Sequence, residues 1–176
     1  MNRTFRTVRP KKDEHIEYYS TYIDKVPDGD IVDILTRQTA EVIAFLHSIP
    51  EDKHDHAYAP GKWTIRQIVG HLSDGERVFQ YRAFRFSRTD TTPVPGFDEN
   101  LYVDNAPFAK VSMADLIAEF EDLRRASIHL FSNLDEAAMS RRGTANGHEI
   151  SVRAIGFILA GHVTHHEGVI RSKYLT

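Results

Sequence analysis

Cysteine is absent from this chain of 176 residues, and its absence removes several kinds of site. Disulfide bonds, thiolate nucleophiles, zinc ribbons and iron–sulfur clusters all require cysteine, so none of them is available. A chain without cysteine agrees with a reducing compartment. We therefore expect a cytoplasmic protein.

Long apolar runs and a large positive charge are missing as well. No run of about 18 apolar residues occurs, so the sequence predicts no membrane span. The formal net charge is -3, which provides no basic field to attract DNA or RNA. We expect neither a membrane nor a nucleic acid as a partner.

The first fifteen residues are basic and polar, with five lysines and arginines in the first twelve positions. No apolar segment follows them, so they do not form a secretory signal. The apolar fraction of 41% and the charged fraction of 27% are ordinary for a soluble globular chain. We expect one domain over residues 1–176, of which residues 1–15 form a flexible leader.

Apolar residues recur at helical spacing in four long segments. We predict long helices over residues 31–49, 63–88, 112–133 and 151–175. Strand-like alternation is weak throughout, and the connection over residues 89–110 is long for a compact domain. The pattern favours an all-α fold, a four-helix bundle with one long connection.

The fourth predicted helix carries histidines on a row of otherwise apolar residues. The row consists of Ile155, Leu159, His162, His166 and Ile170. Their spacing of 4, 3, 4 and 4 residues is that of one helix face. Side chains four residues apart project side by side, so His162 and His166 can share one ion. His165 points about 60° away from this direction and is an alternative to His166 as a ligand.

The second predicted helix supplies a third candidate, His71, on a row with Ile68 and Gly75. Glycine one turn beyond His71 leaves space for a water molecule or a substrate. Three neutral imidazoles suit a zinc, nickel, copper or iron ion and leave one position open for a reaction. The alternative is that these are hydrogen-bonded core residues, because spacing does not show that the two helices face each other.

No residue can be assigned as a general base from the sequence. Asp74, Glu76 and Glu167 are close to the candidate histidines along the chain. Their spacing, however, does not give their direction from the site.

Two motifs occur together and in a fixed order. Trp63 is followed eight residues later by His71, and a late helix contains the pattern GHxxHH. They stand in the segments KWTIRQIVGHLSDGERVFQYRAFRF (62–86), TPVPGFDENLYV (92–103) and AGHVTHHEGVIRSKYL (160–175). In these segments the chain resembles the DinB-like superfamily, which includes the YfiT-like metal-dependent enzymes.

The resemblance implies a four-helix bundle with a long crossover connection and a metal triad of His71, His162 and His166. It also implies one divalent transition metal, with zinc or nickel preferred over iron, manganese or copper, and a homodimer. The implied activity is that of a thiol S-transferase or a hydrolase, acting on a small molecule such as a low-molecular-weight thiol. A non-catalytic metal-binding or stress-response module is the alternative.

Overall fold

The computed structural model describes residues 5–176, which form a mainly helical protein. The helices are α1 (Ser20–Ile23), α2 (Ile31–His47), α3 (Ile65–Ser87), α4 (Glu99–Asn105), α5 (Met113–Ser132), α6 (Glu136–Ser140) and α7 (Val152–Lys173). Two short strands, β1 (Arg142–Ala145) and β2 (His148–Ser151), precede α7. Within the described range, no helix combines the length and the hydropathy that a bilayer crossing demands.

The four long helices α2, α3, α5 and α7 make the bundle that the sequence predicts. Helix α3 packs mainly on α5 and α7, and α2 packs on the same two neighbours. Consecutive helices α2 and α3 therefore lie on opposite corners of the bundle, as do α5 and α7. The prediction of an all-α four-helix bundle is confirmed, and a small hairpin is added to it.

Side-chain caps fix where the bundle helices begin. The Thr64 hydroxyl accepts a hydrogen bond from the backbone N–H of Gln67, and the Gln67 side chain accepts one from the backbone of Thr64. Ser112 caps α5 through the backbone N–H of Asp115 in the same manner. Each cap satisfies backbone donors that the first helical turn leaves unpaired.

The connection over residues 89–110, predicted as a loop, contains the helix α4. Asp98 caps it by accepting hydrogen bonds from the backbone N–H groups of Asn100 and Leu101. Further along, the buried Phe108 lies against α3 at Gly70, where a Cβ atom would overlap the phenylalanine ring. The connection is therefore packed onto the bundle.

The β-hairpin was not predicted from the sequence. Strands β1 and β2 pair in antiparallel fashion with Ala145 opposite His148. Asn146 and Gly147 form the turn with φ angles of 51° and 77°, which is the left-handed conformation that two-residue hairpin turns require. Four residues per strand are too few to show a pattern of alternation.

Residues 5–15 of the leader expected to be flexible contact the bundle through Glu14; residues 1–4 lie outside the described range. Glu14 is buried and ties the segment to the start of α7. Its carboxylate accepts hydrogen bonds from the Ser151 hydroxyl (2.7 Å) and from the Arg153 guanidinium (3.0 and 3.1 Å). The basic residues of the segment masked this buried acidic anchor.

Replacing Glu14 by glutamine is expected to lower the free energy of unfolding by about 2 kcal/mol at pH 7, since it removes charge-assisted hydrogen bonds. Burial alone would raise the pKa of Glu14, but hydrogen bonds from Lys11, Ser151 and Arg153 hold it below its usual value of 4.5. The stabilisation is therefore present above pH 4.5 and is lost as the pH falls towards the lower pKa of the folded state.

Urea unfolding at several pH values measures this effect. The difference between the wild type and Glu14→Gln should shrink below pH 4.5. Glu17→Gln is the matched control, because Glu17 is exposed and lies three residues after Glu14. Equal unfolding curves for the wild type and Glu14→Gln at pH 7 would show that the segment is not anchored in this way.

A polar layer divides the core of the bundle into two apolar clusters. At its centre the buried Arg124 of α5 pairs with the buried Glu76 of α3, with an N–O distance of 2.9 Å. Arg124 also donates hydrogen bonds to the Gln38 side chain of α2 and to the Leu159 carbonyl of α7. One cluster lies towards the hairpin and the other towards Trp63, and the layer joins all four helices between them.

Candidate metal centre

Three histidine side chains converge beside the polar layer. Nε2 of His71 lies 2.9 Å from Nε2 of His162, which in turn lies 3.1 Å from Nε2 of His166. His71 comes from α3, and the other two stand one turn apart on α7. The structure thus brings together the three residues that the sequence singled out. His165 is outside the group, since its ring nitrogens do not belong to the set that lies within 4.8 Å.

Burial keeps these imidazoles neutral. It lowers the pKa of His71 to about 4 and that of His166 to about 3, and it lowers the pKa of His162 well below its usual value. Each ring therefore offers a lone pair at pH 7. A neutral imidazole carries one N–H group and one lone pair, so each converging Nε2 atom presents a lone pair when the proton is on Nδ1.

This donor set fits a divalent transition metal. Three neutral imidazole nitrogens are typical ligands of zinc, nickel, copper and iron. The ligand atoms of the three residues all lie within 4.8 Å of one another, and no carboxylate of the described residues joins them. Nδ1 of His71 is buried without a hydrogen-bond partner, so the orientation of this ring depends on packing.

Packing around the rings depends on two glycines. A Cβ atom on Gly75 would lie 2.9 Å from Cε1 of His162, which is closer than real Cβ atoms approach. The sequence suggested that Gly75 leaves space for water or substrate, but the His162 ring fills that space. A Cβ atom on Gly161 would overlap the backbone carbonyl of Tyr22, so this second glycine lets α1 approach α7 beside the triad.

Replacing Gly75 by alanine is expected to weaken metal binding by about 10- to 100-fold, because the new methyl group displaces the His162 ring. Competition with a chromophoric zinc chelator measures the affinity. Gly168→Ala on α7 is the matched control, since a Cβ atom there meets nothing within 4 Å. Both variants gain roughly 1 kcal/mol of helix propensity, so stability does not explain a difference in affinity. Equal zinc affinities of the two variants would contradict this packing.

A cavity of about 190 Å³ opens onto the three histidines. The Trp63 ring lies against His71, with 4.7 Å between ring centroids. Three tyrosines from residues 18–22 and two phenylalanines, Phe79 and Phe97, form further walls. The sequence connected Trp63 with His71 in one motif, but it did not indicate that the tyrosines, Arg82 or Asn146 line the same cavity.

The acidic residues noted near the histidines in the sequence point elsewhere. Glu76 pairs with Arg124, and Glu167 pairs with Arg171 at 2.7 Å. Asp74 is partly buried, which raises its pKa, but it does not line the cavity. Among the described residues, the carboxylate that does line the cavity is Glu99 of α4.

Comparisons with known proteins agree with this fold. The model of the DinB superfamily matches residues 34–170. A protein of Oceanobacillus iheyensis, named "putative metal-dependent hydrolase", is 27% identical over 138 residues, which are 77% of this chain and 76% of that protein.

A solved structure extends the likeness to nearly the full length. YfiT from Bacillus subtilis is described as "a probable metal-dependent hydrolase with an unusual four-helix bundle topology". It is similar with a TM-score of 0.71 and 18% sequence identity, over 92% of this chain and 89% of its own. The resemblance recognised in the sequence is confirmed, and the chain belongs to the DinB superfamily.

Proposed function

We propose that the protein is a metal-dependent hydrolase of a small molecule, with one divalent transition metal held by His71, His162 and His166. Zinc or nickel is the preferred ion. The observation that carries the proposal is the convergence of three neutral imidazole nitrogens in the wall of a cavity. The name of the Oceanobacillus relative supports the same reaction class.

Three protein ligands leave room for chemistry. When bound, such an ion polarises a carbonyl group and makes a water or thiol at its open position more acidic. The protein contributes the rest of the site: aromatic walls that can orient an apolar substrate, and the carboxylate of Glu99 in the same lining.

Transfer of a thiol is the second candidate function. It is favoured by the lack of a free buried carboxylate near the histidines in the described part of the chain. The Glu99 carboxylate is exposed, and the buried Glu76 pairs with Arg124. A site with no buried base suits a nucleophile that ionises readily, as a thiol does. A low-molecular-weight thiol as partner and a homodimeric assembly remain predictions that the family resemblance implies.

Assays with p-nitrophenyl esters separate these functions. The zinc-loaded wild type is compared with the chelated protein and with His166→Gln, each with and without a low-molecular-weight thiol. A hydrolase should release p-nitrophenol without thiol at least about 100-fold faster than His166→Gln. A rate that depends on thiol would establish the transferase. Equal rates for the wild type and His166→Gln under all conditions would leave a non-catalytic metal-binding module.

A further inference from the structure

Arg82 is a buried positive charge in the wall of the cavity. The residue is 2% exposed and lines the same cavity as the three histidines. Its Nη2 group donates a hydrogen bond to the Pro95 carbonyl at 3.1 Å, while its Nε group is buried without any partner. A guanidinium stays charged in proteins, so this side chain is only partly satisfied.

No carboxylate of the described residues neutralises Arg82, in contrast to its neighbours on α3. Arg77 pairs with Glu119, and Arg85 pairs with Asp90 at 2.5 Å. Burying a charge without a counter-ion is strongly unfavourable. A ligand that supplies the missing negative charge would remove this penalty.

Aromatic rings hold the guanidinium in place. Its central carbon lies 5.5 Å from the centroid of Phe79 and 5.9 Å from that of Phe97. Tyr19 is also close: burial raises the pKa of its hydroxyl group, and the charge of Arg82 and a hydrogen bond from it oppose that rise. The charge is thus fixed in one orientation, as a recognition group must be.

We propose that Arg82 binds a carboxylate group of the substrate, and that the ligands of this cavity are small aromatic carboxylates. This inference rests on the proposed function and names its substrate class. The Phe79 ring lies close to both groups: its centroid is 5.5 Å from Cζ of Arg82 and 6.4 Å from the centroid of the His162 ring. Because Arg82 and the histidines line one cavity, a small ligand held by its carboxylate at Arg82 can present another group to the histidines.

The chemistry of the cavity favours a carboxylate over a phosphate. Arg82 is the one arginine or lysine among the cavity-lining residues that the structure describes, and Glu99 adds a negative charge to the same lining. A single planar guanidinium matches one carboxylate. The ring of an aromatic acid can stack on Trp63 and the tyrosines.

Binding of benzoate to the full-length protein tests the proposal, with benzamide as the uncharged probe of the same shape and inorganic phosphate as the dianion. Affinities are measured by calorimetry for the zinc-loaded and the chelated protein. Arg82→Met should weaken benzoate binding about 10- to 100-fold in both forms, with little effect on benzamide. Arg77→Met, on the same helix outside the cavity, should bind benzoate as the wild type does.

Three results would overturn the proposal: equal benzoate affinity for the wild type and Arg82→Met, benzamide binding as tight as benzoate, or a preference for phosphate. Arg82→Lys keeps the charge without the planar fork and replaces Arg82→Met if that variant does not fold. The NMR spectrum of Arg82→Lys lacks the guanidinium N–H resonance of Arg82, and its absence identifies this resonance in the wild-type spectrum. In the wild type this resonance should shift when benzoate is added.

The two proposals fail in different ways. Zinc and nickel contents are measured on every variant by elemental analysis. If the wild type binds neither zinc nor nickel, the hydrolase proposal fails, while benzoate binding to the chelated protein still decides the role of Arg82. If zinc binds and Arg82→Met leaves benzoate affinity unchanged, only the substrate class is wrong.

Discussion

Replacing His162 by glutamine is expected to lower zinc affinity at least about 100-fold and to leave the purified protein without stoichiometric metal. His162 is the central residue of the triad, because its Nε2 atom lies within 3.1 Å of both other Nε2 atoms. Elemental analysis of untagged protein and titration against a chromophoric chelator measure the loss.

His165→Gln is the matched control for this variant. His165 is three residues further along the same helix and only partly buried, and its nitrogens lie outside the converging group. Full zinc binding by His165→Gln with loss in His162→Gln would establish which face of α7 holds the ion. A one-to-one zinc complex of His162→Gln with unchanged affinity would refute the triad. Loss of zinc binding in both variants would indicate that His165 is also a ligand.

Replacing Arg124 by methionine is expected to lower the free energy of unfolding by about 3–5 kcal/mol, because it leaves the Glu76 carboxylate buried without a partner. Both side chains of this pair are at most 1% exposed. Urea unfolding followed by circular dichroism measures the change.

Arg125→Met provides the comparison on the same helix. The Arg125 side chain is 60% exposed and pairs with acidic neighbours only at the surface, so its loss should cost less than about 1 kcal/mol. The double variant Glu76→Met/Arg124→Met removes both charges and should recover much of the stability. If Arg124→Met lowers the free energy of unfolding as little as Arg125→Met does, the pair of Arg124 and Glu76 is not desolvated in solution.

Sequence periodicity was sufficient for the four long helices and for part of the site. His162 and His166 follow from spacing alone, since they replace apolar residues on one face of α7. The partnership with His71 could not follow from spacing, because a helical row identifies a buried face but not the helix opposite. That contact came from the resemblance, and the structure supplies its geometry.

The remaining site residues had no readable signal because they depend on tertiary packing. Arginine is usually solvent-exposed, so Arg82 on its helix resembled a surface residue. Asn146 reaches the cavity through a hairpin with four residues per strand. The polar layer was visible in the sequence of α5. Phe120, Arg124, Ser127 and Phe131 follow one another at spacings of 4, 3 and 4 residues, which places two polar residues on an otherwise apolar helix face.

The polar layer also determines how far each helix can slide along its neighbours. A shift of α5 by one turn, about 5.4 Å, would carry Arg124 away from Glu76 into an apolar cluster, where an unpaired charge is strongly unfavourable. Apolar side chains tolerate such slippage far better, since their contacts are not directional. The ion pair therefore selects one position of the helices along the bundle axis. This position brings His71 and His162 to the same level of the bundle. The alignment of the histidines thus depends on an ion pair that is not itself a ligand.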